Sequence, residues 1–133
     1  MSTTATCPIS RARLVSVSVR EPDAAIAFWR DTVGFTLQSD TPYGEGDRWI
    51  ELIPPGAETG LTVVGPANPG WHEPEDWAPV VFACADIDAS VAELERRGVE
   101  ITGPVMRPEG GPPPMVFFLD QDGRRFLLVE RTD

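Results

Sequence analysis

The sequence predicts an α+β fold in which two tandem βαβββ modules form a curved mixed sheet around a cleft. Three observations lead there. A short motif occurs twice, as Asp23-Ala24-Ala25-Ile26-Ala27 and as Asp88-Ala89-Ser90-Val91-Ala92, at an offset of 65 in a chain of 133 residues. Each copy follows a valine-rich segment and precedes a glycine and a further apolar segment, Gly34-Phe35 in one case and Gly98-Val99 in the other. The intervening apolar segments alternate with the period of two that a half-buried strand requires, and Pro/Gly clusters separate them.

The elements follow in order. In Arg13–Val19, Val15, Val17 and Val19 fall on one face of a strand and Leu14, Ser16 and Ser18 on the other. Pro22 suits the first turn of a helix, where its missing N–H is not needed, and Asp23 adds favourable charge at that positive end. The helix is expected to run to about Val33 and to stop at Gly34, which can take the left-handed conformation of a helix C-terminus. Strands are predicted over Phe35–Gln38, Trp49–Ile53 and Leu61–Val64, with the turn-rich stretch 41–47 between the first two. After a Pro/Gly-rich connector the order repeats: a strand over Val80–Cys84, a helix over Asp86–Arg97 and a strand over Val99–Ile101. A long Pro/Gly loop then leads to a hairpin of Met115–Leu119 and Phe126–Val129, which the Asp122-Gly123 pair turns. The reading is one domain over 1–133, with module 1 at about 13–65, the connector at 66–78 and module 2 at about 79–131.

The composition is that of a globular domain, 41% hydrophobic and 24% charged. The net charge is −10, and all eleven basic residues are arginine. An acidic chain lacks the basic face that phosphate neutralisation needs, so nucleic acid is excluded as a partner, whereas cationic small molecules are favoured. No apolar run reaches membrane-spanning length. The N-terminal MSTTATCPIS does not read as a secretory signal, which points to the cytoplasm. Cys7 and Cys84 lack metal-ligand spacing, and a disulfide is disfavoured in a reducing compartment.

The segment Asp23–Trp29 with Gly34-Phe35, the segment Asp86-Ile87-Asp88 with Gly98-Val99, and Phe117-Phe118-Leu119-Asp120-Gln121-Asp122-Gly123 stand in a characteristic order and spacing. In these the chain resembles the vicinal oxygen chelate superfamily, which includes glyoxalase I, extradiol dioxygenases and the bleomycin- and fosfomycin-resistance proteins. The resemblance covers about residues 13–131 and implies paired βαβββ modules, commonly in a homodimer. It also implies metal-ligand positions at the first and last strands of each module, which here fall on Leu14, Thr62, Pro79 and Leu127. Leu14 to Pro79 and Thr62 to Leu127 each span the 65-residue repeat, so the two modules agree with each other. Leu and Pro side chains offer no lone pair and a lone Thr is a weak ligand, whereas such centres need converging imidazoles and carboxylates. The chain's only histidine is His72, in the connector. The expectation is a site with no metal and no cofactor.

The cleft-facing positions then follow from strand alternation. Ser16, Ser18, Trp49, Glu51, Ile53 and Val64 share the face of Leu14 and Thr62, and in the second module Val81, Ala83, Met115, Phe117, Leu119, Leu127 and Val129 share a face. The opposite faces carry Val15, Val17, Val19, Ile50, Leu52, Val80, Phe82, Phe118, Phe126 and Leu128, the expected core. Among the cleft residues, Trp49 can stack on a planar ligand or attract a cation, or it packs the barrel. Glu51 can pair with a cationic group or act as a base, or it is a solvated strand end. Met115 and Phe117 read as packing or recognition, and Ser16, Ser18 and Thr62 as hydroxyl contacts. Trp71, His72 and Trp77 in the connector form a lid over ligand, or they anchor the connector or a dimer contact. Tyr43 in the 41–47 loop is a further candidate of the same kind.

The functional expectation is a metal-free protein that sequesters a planar aromatic or cationic, antibiotic-like molecule. This is the mode of the bleomycin-resistance branch, and no catalytic residue is assigned. The alternatives are a metal-dependent glyoxalase-type lyase, isomerase or dioxygenase with displaced ligands, and a non-catalytic interaction domain.

Overall fold

The computed structural model describes residues 6–131, so the first five residues of the N-terminal segment read above and the last two of the chain lie outside the described residues. The first sheet is built from β1 (Leu14–Ser18), β2 (Thr36–Tyr43), β3 (Asp47–Ile53) and β4 (Gly60–Val64), in the order β1-β4-β3-β2. The second contains β5 (Trp77–Cys84), β6 (Ile101–Met106), β7 (Met115–Leu119) and β8 (Arg125–Glu130), in the order β5-β8-β7-β6. In each sheet the first and last strands of the module pair in parallel and the remaining neighbours are antiparallel. The fold is therefore two βαβββ modules with two open, mixed sheets. Among the described residues no helix is long and apolar enough to cross a membrane.

The duplication is visible in the hydrogen-bond register. Ser16 lies opposite Thr62 in the first parallel pair, and Val81 lies opposite Leu127 in the second. Each partner is displaced by the same 65 residues from its counterpart. The rows continue across both sheets, through Glu51 and Ser39 in one and through Phe117 and Thr102 in the other. One row is thus polar and its duplicate is mostly apolar.

The helix of module 1 begins at Pro22 as expected, but only Pro22–Ile26 (α1) is α-helical. Ala27–Val33 widens into a π-helix. The Gly34 N–H donates to the Trp29 carbonyl five residues back, at 3.0 Å, and Gly34 closes the segment at φ 105°. In module 2, α2 (Ile87–Arg96) is capped by Asp86, whose Oδ1 accepts from the Ala89 N–H at 3.1 Å. Glu130 Oε2 accepts from the Ile87 N–H at 2.9 Å and satisfies a second free donor of that turn.

The core is where alternation put it. Val17, Val19, Ile50, Leu52, Val80, Val116, Phe118, Phe126 and Leu128 are buried, together with Leu61, Val63 and the helix residues Ile26, Trp29 and Ile87. Trp29 joins the modules. It stands on the first helix, yet its ring lies 5.6, 6.0 and 4.9 Å from those of Phe82, Phe118 and Phe126 on the second sheet.

Several strand ends differ from expectation for one shared reason. β2 runs on to Tyr43 through Pro42, β6 reaches Met106 through Pro104, and β5 begins at Trp77, before Pro79. Proline cannot donate to a ladder and reads as a strand breaker, but β2, β5 and β6 are all edge strands, where that donor has no neighbour to serve. Trp77 thus belongs to a strand, and the segment between the modules is correspondingly shorter.

Candidate functional site

The open face of the first sheet carries a cavity of about 310 Å³. Six of the residues singled out from the sequence line it: Ser16, Ser18, Tyr43, Trp49, Thr62 and His72. β1 and β4 supply the floor through Ser16, Ser18 and Thr62, and the last two are buried. The β2–β3 hairpin supplies the wall, where Tyr43 and Trp49 meet edge to face at 6.0 Å. Trp49 is 39% exposed, which leaves indole surface free to meet a ligand. The segment after β4 brings in Asn68, Gly70 and His72.

The polar groups of this wall are largely engaged with one another. Glu51 takes the Trp49 indole N–H on Oε2 at 2.7 Å and Arg13 Nη2 on Oε1 at 3.2 Å. Glu51 therefore sets the orientation of the indole, and both its oxygens are occupied. Arg48 is held by Asp40 through Nε at 3.0 Å and Nη2 at 2.8 Å, and by Asp23 through Nη1 at 2.8 Å. Its hydrogen bonds to Asp40 and Asp23 raise the pKa of Arg48, and the same bond to Arg48 holds the Asp40 carboxyl below the ordinary carboxylate range. Asp47 accepts from Asn68 Nδ2 at 2.7 Å, which ties the connector to β3. His72 Nδ1 lies 2.9 Å from the Glu73 carbonyl oxygen, which can only accept. The Nδ1 proton is fixed by that bond, and in the neutral ring Nε2 remains as an acceptor.

The other singled-out residues lie elsewhere. Trp71 donates its indole N–H to the Val19 carbonyl at 2.8 Å and holds the connector against β1. Met115 and Phe117 stand half-buried on the open face of the second sheet. Trp77 packs edge-on against Phe117 at 5.8 Å, and the Arg125 guanidinium lies 5.2 Å from the centre of the Phe117 ring. Within one chain these side chains do not line the 310 Å³ cavity. On that second face Val81 is 58% exposed. A larger and mostly apolar depression of about 610 Å³ lies between the π-helix and α2, lined by Trp29, Phe35, Phe82 and Leu94 with Glu93 and Arg97, and none of the candidate site residues reaches it.

Arg124 is the functional candidate that the sequence reading missed. It is buried where the β7–β8 hairpin meets β1, and its Nη2 donates to the Ser18 carbonyl at 2.8 Å. Its guanidinium lies 5.5 Å from the centre of the Phe126 ring, a cation–π contact. The sequence signals only its burial, because Arg124 directly precedes β8 in step with the core residues Phe126 and Leu128 and out of step with the cleft face.

The residues present do not fit a divalent metal. The mapped positions Leu14, Thr62, Pro79 and Leu127, and the Ser16 and Val81 that pair opposite Thr62 and Leu127, include no imidazole, thiolate or carboxylate. Among the described residues no three His, Cys, Asp or Glu side chains are grouped to hold an ion.

Comparison with known proteins agrees with this architecture. Residues 11–128 match the model of the Glyoxalase/Bleomycin resistance protein/Dioxygenase superfamily. The chain is 37% identical to the uncharacterized protein YetH of Bacillus subtilis (strain 168) over 116 residues, which covers 87% of this chain and 94% of that protein. A solved member of the superfamily from Sphaerobacter thermophilus DSM 20745 superposes with a TM-score of 0.84 at 27% identity, covering 92% of this chain and 98% of the other. TnmS3, an antibiotic binding protein from Streptomyces sp. CB03234, superposes with a TM-score of 0.77 at 31% identity, covering 96% of this chain and all of the other (100%). The repeated register, the open sheet faces and these matches together show that the chain belongs to the glyoxalase/bleomycin resistance protein/dioxygenase superfamily.

Proposed function

We propose that this protein binds and sequesters a small, flat, antibiotic-like molecule without a metal, and does so as a homodimer. The observation that carries the reading is the sheet-face cavity itself. It offers an indole held in place by Glu51, with hydroxyls beneath it, where a metalloenzyme of this family would need a converging donor set. Such a mixture of aromatic surface and few fixed polar groups suits recognition of a planar ligand. The likeness to an antibiotic binding protein supports the same class of ligand.

The unequal faces support the dimer. The first sheet presents a polar row and the second a mostly apolar row with Val81 exposed, so each face is one wall of a cleft. A second copy can lay its Val81, Met115 and Phe117 face opposite the Trp49 wall, which buries apolar surface and encloses the ligand.

The test is a titration of purified protein with a panel of aromatic and glycopeptide antibiotics, followed by tryptophan fluorescence and repeated by calorimetry on Trp49→Ala. Saturable binding tighter than about millimolar, weakened by about tenfold or more in the variant, is the expected result. No binding across the panel removes the proposal. So does a stoichiometric metal that survives dialysis after soaking in Zn, Ni, Mn or Fe salts, which would restore an enzymatic reading.

A further inference from the structure

A side pocket opens from the candidate site. It measures about 100 Å³ and is lined by Ser16, Ser18, His72, Trp77 and Arg124, with the exposed Glu75 at its rim. Ser16, Ser18 and His72 also line the 310 Å³ cavity, so the two adjoin across these residues as a large and a small lobe. The small lobe has about a third of the volume of the large one and room for a carboxylate or a carbonyl.

Its chemistry is set by Arg124, which is only 3% exposed. Nη2 serves the Ser18 carbonyl and forms a buried ion pair with Asp120 Oδ2 at 3.6 Å, too long for a hydrogen bond. Asp120 Oδ1 is occupied by the backbone N–H groups of Asp122 and Arg124. Arg124 Nε is buried and has no hydrogen-bond partner among the described residues. A guanidinium N–H left in this way is costly, and an arriving oxygen acceptor relieves that cost. The hydroxyls of Ser16 and Ser18 at the junction of the lobes add further donors.

Building on the proposed ligand-binding role of this face, we infer that the ligand is a flat aromatic molecule bearing an oxygen acceptor, a carboxylate or a ring-conjugated carbonyl. The ring lies against Trp49 and Tyr43 in the large lobe, and the oxygen enters the small lobe and accepts from Arg124. The acidic composition favours cations over the surface as a whole, and Asp120 balances the Arg124 charge, but this lobe selects an acceptor because the unpartnered Arg124 N–H needs one.

The experiment uses the full-length protein and four probes with a common ring: naphthalene, 2-acetylnaphthalene, 2-naphthoate and 2-naphthylmethylamine. Binding is followed in ¹H–¹⁵N spectra through the Trp49 indole N–H and the Arg124 Nε–H. The expected result is binding of the carbonyl or the carboxylate at least about tenfold tighter than naphthalene or the amine, with a downfield shift of the Arg124 Nε–H. The 2-acetylnaphthalene and 2-naphthoate arms distinguish a neutral acceptor from an anionic one. Arg124→Lys keeps the charge, drops Nε and should abolish the preference, and the wild-type spectra decide the matter if that variant does not fold. A Trp49 signal that moves while Arg124 stays still, or tighter binding of the amine, overturns this inference and leaves the ligand-binding role standing. No movement of either signal with any probe removes both.

Discussion

Trp29 offers the sharpest test of how the two modules are joined. It is fully buried, and its ring meets Phe28 and Phe35 of its own module and Phe82, Phe118 and Phe126 of the other. Trp29→Ala removes a ring that holds both modules, and a large-to-small change of this kind costs about 3–5 kcal/mol. That is a fifth or more of the roughly 5–15 kcal/mol by which a domain is stable. Trp29→Phe behaves differently, because the indole N–H is buried with no hydrogen-bond acceptor among the described residues. Losing about two carbon groups costs roughly 1.5 kcal/mol, and removing the unmet N–H returns about 1 kcal/mol, so the net loss should stay below about 2 kcal/mol. Urea unfolding followed by circular dichroism measures both changes, and the resolved indole N–H signals of Trp49 and Trp77 in ¹H–¹⁵N spectra report on each module separately. The expected result is one transition for both probes, shifted strongly in the alanine variant and weakly in the phenylalanine variant. Equal costs for the two variants, or separate transitions for the two tryptophans in the wild type, would refute the reasoning.

Further outcomes follow from other parts of the structure. A Cβ on Gly60 would meet the Leu52 carbonyl oxygen at 2.5 Å and Ile53 Cα at 2.8 Å, so Gly60→Ala should cost about 1–3 kcal/mol in urea, and an unchanged midpoint would show that β3 and β4 can separate. Burial holds the Asp120 carboxyl above the ordinary carboxylate range, against the lowering pull of its bonds to the Arg124 and Asp122 backbone and of the Arg124 charge. A raised native pKa means that the folded state binds this proton more readily than the unfolded chain. The stabilisation is therefore complete in acid, below about pH 4, and is lost as pH rises through the raised value. The stability of wild type relative to Asp120→Asn should thus fall from acid toward neutral pH in urea titrations, and a difference that grows with pH contradicts the assignment. Val81→Glu places a charge on the exposed apolar face and should convert a sedimenting dimer to monomer with little change in stability, while a wild type that sediments as a monomer defeats the two-copy cleft.

Much of the fold was legible because its signals are local. The alternation of Val15, Val17 and Val19, and of Phe118, Phe126 and Leu128, set which strand faces are turned inward, and the burial of these faces follows it closely. The Pro22 and Asp86 starts and the Gly34 stop were equally readable from capping chemistry. Six residues that now share a cavity were found from strand parity, from the cleft face that the family resemblance marks at Leu14 and Thr62, and from loop composition. The length of β2, β5 and β6 was not readable, since whether Pro42, Pro79 or Pro104 breaks a strand depends on whether a neighbour needs its missing donor. Glu51 read as a free carboxylate because nothing near it in sequence announces Arg13, 38 residues away.

By itself, then, the sequence determined the duplicated order of elements, the buried face of each strand and the lack of imidazole or carboxylate at Leu14, Thr62, Pro79 and Leu127, because periodicity, capping and side-chain donor chemistry are properties of short segments. Only the tertiary structure decided that Trp29 docks on the other module, that Glu51 is engaged by Trp49 and Arg13, and that Arg124 reaches the Ser18 carbonyl across 106 residues of chain to line the site. Those outcomes depend on which groups from distant segments arrive to satisfy a buried donor or fill a buried volume, and local patterns carry no record of that meeting.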